Sequence, residues 1–377
     1  MDTDTDDDEL RALNRAIAAT PGDAGLLRLR ATRHYVLSRH ALALRDSDEA
    51  MRLEPGRVSD HLDRGQLYRS MGVLAKALED LDTAIALQPG SAGLYAVRAE
   101  IRAEAGDAQG AFSDYSLVIA QQPAIGSFRR RRAELLAGPL ARPQEALLEY
   151  AELIRSSDDF SDCEDRGNLN ARLGCWEEAV ADYDAALERD PYFDALDSIY
   201  TKRGAVLARL GDWRRVADNC DRWLKADPHS AWAVARRGLA RSRLGDHAGA
   251  VEDFALAEAR MDIPRGGLIP DTPEPDAHLR NYLAWFFATA PDAPSRDGAR
   301  AVRLAKEACE ITEWLKADYL DTYAAACAQA GDFNEAVRQQ ERALASPEFE
   351  ARSGVAARAR LASYRAGQPF IEVTKPD

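Results

Sequence analysis

The sequence predicts an all-α fold, a solenoid of stacked antiparallel helix pairs, and three observations carry that expectation. Prolines stand at 21, 55, 89 and 123, each 34 residues after the last, and Pro191 lies two periods further on. A repeat of that length accommodates two helices of three to four turns with their connections. Alanine and arginine are frequent and β-branched residues sparse, a bias towards helix. Within each period, small residues and glycines return to the same places.

The elements follow from aligning the periods. Residues 8–21, with Leu13, Ala16 and Pro21, read as the second helix of a partial opening unit. Full units follow over 24–57, 58–91, 92–125, 126–159, 160–195, 197–230, 231–263 and 317–348, with a divergent one near 280–312. One slot in the first helix is always small: Ala31, Gly65, Ala99, Ala133, Gly167, Gly204, Gly238 and Ala324. Twelve residues later stand Ala43, Ala77, Ala111, Ala179, Ala250 and Ala336, with Val216 as the exception and Ala146 one residue late because its unit, bearing "GPLARPQ", has an insertion. Small residues at both points let two helices approach closely. Gly72, Gly106, Gly174, Gly211, Gly245 and Gly331 fall in the turn between the helices, where a left-handed backbone needs no Cβ. The first full unit departs from this, with Ser38 in the turn and Ser47 where other units carry an aromatic residue.

Several positions recur together through most of the chain. They are the two small slots, the turn glycine, a large apolar residue at Trp176, Trp213 and Phe333, an aromatic at Tyr115, Tyr150, Tyr183 and Phe254, and the closing proline. This pattern resembles the tetratricopeptide repeat. The resemblance implies a right-handed superhelix of about nine units, with the partial unit at its start and a C-terminal capping helix in "RLASYRAGQPF" that shields the last apolar face. It also implies that the first helices line a concave groove.

Composition bounds the rest. The 377 residues carry 46% apolar and 30% charged side chains and a formal net charge of −14, part of it in an acidic, disordered tail over residues 1–8. The expected organisation is an N-terminal array over 9–262, a loop rich in proline and glycine over 263–280, C-terminal units over 281–348, and a capping helix and tail over 349–377. The loop is a surface insertion, a hinge or a binding element. The acidic balance argues against a general nucleic-acid binder, as does the lack of interleaved aromatics in the groove. No apolar run reaches the length of a membrane span and no signal peptide is apparent, so a cytoplasmic protein is expected. The five cysteines form no C-x-x-C pair and read as buried free thiols. No catalytic motif, metal-ligand spacing or phosphate loop appears, so no enzyme activity, cofactor or metal is expected.

Arginine precedes the small slot in nearly every unit, at Arg30, Arg64, Arg98, Arg132, Arg166, Arg203 and Arg237. Sixteen residues after most of them comes an acid: Asp46, Asp80, Asp114, Asp182 and Asp253, with Glu149 one later after Arg132 and Asn219 in place of the acid after Arg203. The spacing points to ion pairs between the two helices of one unit.

The groove positions implied by the resemblance suggest where a partner would bind. They include Gln66, Arg69, Glu100 and Glu104 in the second and third units. Units four to seven offer Arg130, Arg131, Asn168, Arg172, Lys202, Arg209, Arg236 and Arg243, opposed by Glu134, Glu164 and Asp165. Arg172, Arg209 and Arg243 occupy one slot of three successive units and are expected to form a row. Such a row either is a solvated face or holds an acidic or C-terminal peptide segment through bidentate carboxylate contacts. The Lys and Asn positions of the chaperone-binding carboxylate clamp are not reproduced together. The expected function is a non-catalytic scaffold or adaptor that binds a partner protein in its groove. The alternative is a regulatory subunit that controls an associated protease, kinase or nuclease through solenoid curvature.

Overall fold

The computed structural model describes residues 8–261 and 274–372, and the described residues form helices without a strand. The opening helix α1 (Asp8–Ala19) precedes a succession of pairs: α2 (Ala24–Val36) with α3 (His40–Leu53), α4 (Val58–Ser70) with α5 (Leu74–Leu87), α6 (Ala92–Glu104) with α7 (Ala108–Gln121), and α8 (Gly126–Ala137) with α9 (Pro143–Ser156). Helices α10 (Phe160–Leu173) and α11 (Trp176–Glu188) come next in the chain. Further pairs are α12 (Phe193–Arg209) with α13 (Trp213–Ala226), α14 (Ala231–Arg243) with α15 (His247–Met261), α16 (Glu274–Thr289) with α17 (Gly298–Ile311), and α18 (Ala317–Gln329) with α19 (Phe333–Leu344). Helix α20 (Pro347–Arg365) closes the series.

The turns show why the repeat punctuates as it does. All six turn glycines take positive φ, from 73° at Gly72 to 89° at Gly331, the region a Cβ disfavours. In four turns the next residue is an aspartate that caps the second helix. Asp107, Asp212, Asp246 and Asp332 accept from the backbone N–H groups of Gly110, Arg215, Gly249 and Glu335 at 2.9 to 3.0 Å. A Gly-Asp dipeptide therefore ends one helix and starts the next. Ser38 fills the same place in the first unit with φ 58°, so that turn keeps its geometry without glycine.

Packing explains the small slots. A Cβ on Gly65 would collide with Leu81 Cδ2 and stand 3.3 Å from the carbonyl oxygen of Ala77. One on Gly238 would come within 3.1 Å of the Phe254 ring. Ala99, Ala133, Ala324, Ala77, Ala111, Ala146, Ala179, Ala250 and Ala336 are all fully buried. The aromatic slot is buried at Tyr115, Tyr150, Tyr183 and Phe254, each side chain offering about 1.5–3 kcal/mol or more of burial free energy.

The arginine ladder forms within pairs and extends beyond them. Arg30, Arg64, Arg98 and Arg237 each grip the acid sixteen residues later through Nε and Nη2, at 2.6 to 3.0 Å. In each case Nη1 reaches back to the residue sixteen earlier: Asn14, Asp48, Asp82 and Asp221, at 2.7 to 2.8 Å. One guanidinium thus joins its own pair to the helix before it. Arg203 keeps a substitute for the missing acid by donating to Asn219 Oδ1 at 3.0 Å.

The chain divides into two compact units, residues 1–173 and 174–377. That division falls between residues expected to belong to one repeat, not at the 263–280 stretch. Where each repeat touches only its neighbours, compactness is not tied to a loop. Of the expected loop, residues 274–280 are helical as the first turns of α16, which Pro275 tolerates because it sits at the helix start; the remainder lies outside the described residues. Residues 1–7 of the expected acidic tail and 373–377 lie outside them as well, while Asp8 begins α1. In the second unit α20 packs on α18 and α19, burying Phe349, Leu361 and Tyr364. There Arg360 meets the buried carboxylate of Asp321 at 2.8 Å.

Candidate functional site

The second unit holds a cavity of about 900 Å³. Its walls come from the first helices of successive pairs: α12 gives Asp197 and Lys202, α14 gives Trp232 and Arg236, α16 gives Tyr282 and Trp285, and α18 gives Asp318 and Asp321. Trp223 of α13 and Arg360 of α20 complete its ends. The aromatic surface is ordered by polar bonds and by stacking. Trp223 donates through Nε1 to Asp197 at 2.6 Å and stacks on Tyr200, with ring centroids 6.0 Å apart. Trp232 lies 6.0 Å from the Tyr282 ring.

Much of the charge at this cavity is already committed. Asp197 takes the Trp223 N–H, Asp321 takes Arg360 and Gln340, and Asp318 takes Arg352. Arg236 lies over the Trp232 ring, 5.9 Å from its centroid, and donates one N–H to the carbonyl of Thr201 at 3.1 Å. Two buried polar atoms of the lining residues, Asn281 Oδ1 and Tyr282 Oη, make no hydrogen bond among the described residues. Burial raises the pKa of the Tyr282 hydroxyl, so it stays protonated and able to donate.

The residues expected to line a groove meet different fates. Arg69 donates to Glu104 and Glu100 at 3.0 and 2.8 Å, and its hydrogen bond to Glu104 is the largest cause of its raised pKa. Together with Arg131 and Glu134, which pair at 3.1 Å, these groups border a cavity of about 400 Å³ in the first unit. Arg130 is held by Asp159 and the buried Asp162, at 2.6 and 2.8 Å. Asn168 is half-buried on α10. Arg172 and Arg209 are exposed and form no ion pair among the described residues. Arg243 is engaged: it donates to Glu372 at 3.0 Å and lies over the Trp213 ring. Lys202 and Arg236 come together in the 900 Å³ cavity. Arg69, Arg130, Arg131 and Arg243 thus have local acids as partners, whereas Arg172 and Arg209 have none among the described residues.

The aromatic wall corrects the expectation that the groove lacks aromatics. Trp232 lies on α14, the first helix of its pair, which also carries the expected groove residues Arg236 and Arg243. Tyr282 and Trp285 belong to the divergent unit, which lacks the glycine and small-residue marks that set register elsewhere. Trp223 comes from α13, a second helix, whereas the expected groove is lined by first helices. Four of the five cysteines are buried and all are free, with the Cys220, Cys309 and Cys327 thiols pushed up to about 12 by burial. Among the described residues no cluster of side chains has the makings of a metal site, and no helix is long and apolar enough to cross a membrane.

No family model matches the chain, and no curated protein matches it. Solved structures similar to it include a tetratricopeptide repeat protein from Parabacteroides merdae, 17% identical over 68% of this chain and 98% of that one, with a TM-score of 0.44. Yeast Tom70 is 13% identical over 91% of this chain and 96% of its own, with a TM-score of 0.41. Naa15/Naa10 bound to HypK matches at 15% identity over 94% of this chain and 63% of that one, also with a TM-score of 0.41. In this chain the consecutive helix pairs, the left-handed glycine between them and the small-on-small contact within each pair make an all-α array of stacked helix pairs.

Proposed function

We propose that this chain is a non-catalytic adaptor that holds a segment of a partner protein against the first helices of its second unit. The observation that supports this reading is the cavity wall of Trp223, Trp232, Tyr282 and Trp285 with Arg236 and Lys202 beside it. Aromatic side chains bury much area at small entropic cost, and together with arginine they dominate protein interfaces. In the exposed positions Arg172 and Arg209, charge complementarity speeds encounter with an acidic partner more than it adds affinity.

Affinity capture with wild-type, Arg236→Glu and Arg172→Glu/Arg209→Glu baits tests the reading, with circular dichroism confirming that each bait is folded. The proposal expects a protein retained by wild type and by the Arg172/Arg209 variant but lost from Arg236→Glu. Equal capture by all three baits would remove the cavity from the mechanism.

A further inference from the structure

After α20 the chain reverses at Gly367, whose φ is 70°, and runs back as a short non-helical segment to Glu372. Two side chains of this segment fasten it to the second unit. Phe370 lies 6.1 Å from the Trp285 ring, with the Arg360 guanidinium 5.6 Å from the Phe370 ring centroid. Two residues later, Glu372 takes the indole N–H of Trp285 on Oε1 at 3.2 Å and Arg243 on Oε2 at 3.0 Å. The Glu372 backbone N–H donates to the carbonyl of Thr289 at 2.8 Å.

Three features set this contact apart from the packing of a cap. The clamp on the carboxylate is built from α14 and α16, both first helices of their pairs, so the tail sits on the face that also bears the cavity. Trp285 and Arg360 serve both, lining the cavity and touching the tail. The attachment is also light: Phe370, Ile371 and Glu372 stay half-exposed, and the segment from Pro369 onward has one backbone hydrogen bond to the helices among the described residues. A residue pair two apart in an extended segment presents both side chains to the same side. An aromatic followed two positions later by a carboxylate is therefore the pattern that this surface reads.

We propose that the tail occupies in cis a recognition site for an extended partner segment with an aromatic residue two positions before a glutamate or aspartate, and that the partner enters by displacing the tail. This rests on the adaptor reading above and names the chemistry of the partner. A ligand on a short tether competes at an effective concentration in the millimolar range, so an external segment binds the intact chain weakly and the tail-free site well.

The test uses the full chain and a fluorescein-labelled synthetic peptide of sequence GQPFIEV, read by anisotropy. The double variant Phe370→Ala/Glu372→Gln should bind the peptide at least about tenfold more tightly than wild type. A peptide with glutamine in place of its glutamate should lose that gain, and so should adding Arg243→Gln to the double variant. Glu372→Gln alone, which keeps the Phe370 contact, should show a smaller gain and serves if the double variant fails to fold. Peptide binding that is absent, or equal in wild type and the folded tail variants, would make the tail a permanent part of the cap and overturn the proposal. Partner capture that depends on Arg236 would still uphold the adaptor reading in that case, so the two failures are distinguishable.

Discussion

Arg64 grips Asp80 with two nitrogens, Nε at 2.8 Å and Nη2 at 2.7 Å, and extends its third to Asp48 on the preceding helix. Asp80 is 4% exposed, whereas Asp48 is largely open to water. The same guanidinium thus makes one buried bond pair and one surface bond, and its pKa is raised chiefly by the hydrogen bonds to Asp80. Arg64→Ala should cost about 2 kcal/mol because it leaves the buried Asp80 carboxylate with only the His61 ring, 3.0 Å away, whereas Asp48→Ala should cost less than about 1 kcal/mol. Urea unfolding of the two variants measures the difference. Equal costs would mean that the ladder acts between pairs rather than within them.

The close approach of α4 and α5 at Gly65 predicts a different kind of cost. Gly65→Ala improves helix propensity by about 1 kcal/mol but drives a methyl group into Leu81 and towards the Ala77 carbonyl, and overpacking of that sort costs about 1–3 kcal/mol. The net effect should be destabilising, and Leu81→Ala in the same chain should cost less than it does beside Gly65. At Ser38 the backbone argument runs the other way. A non-glycine residue at φ 58° bears about 1 kcal/mol of strain, partly offset by glycine's greater freedom when unfolded, so Ser38→Gly should raise stability by about 0.5 kcal/mol. Thermal melts of both variants check the two signs.

Asp165 supplies a pH dependence. Burial is the first cause of its pKa being raised from 3.8 to about 6, assisted by Glu134, Glu164 and Asp162 and opposed by Arg130. The folded state therefore binds more protons than the unfolded state between those pH values. Stability falls as pH rises through that window and stays lower above it. Because the side chain is only half-buried, solvent screening reduces the effect to about 1 kcal/mol. Asp165→Asn should raise the melting temperature at pH 7 and leave it nearly unchanged at pH 4; a gain of the same size at both would assign the effect to packing.

The helix pairs, the glycine turns, the small-on-small contacts and the arginine–acid spacing were legible in the sequence because each joins residues less than one repeat apart. A 34-residue period restates such contacts many times, so chance departures such as Ser38 or Val216 do not hide the rule. The backward reach of Arg64 to Asp48 is less visible, since it crosses from one repeat to the next and its acceptor is an exposed position that holds Asn14 in the first such contact. The cavity and the tail contact depended on tertiary structure alone. Trp223, Trp232, Tyr282 and Trp285 lie on three different helices, and Glu372 meets an arginine 129 residues away. Whether a groove cation is open or neutralised is likewise decided by which acid the neighbouring helix brings within 3 Å. Local periodicity determined the scaffold; the packing of helices distant in sequence, which sets their side chains face to face, determined what it presents.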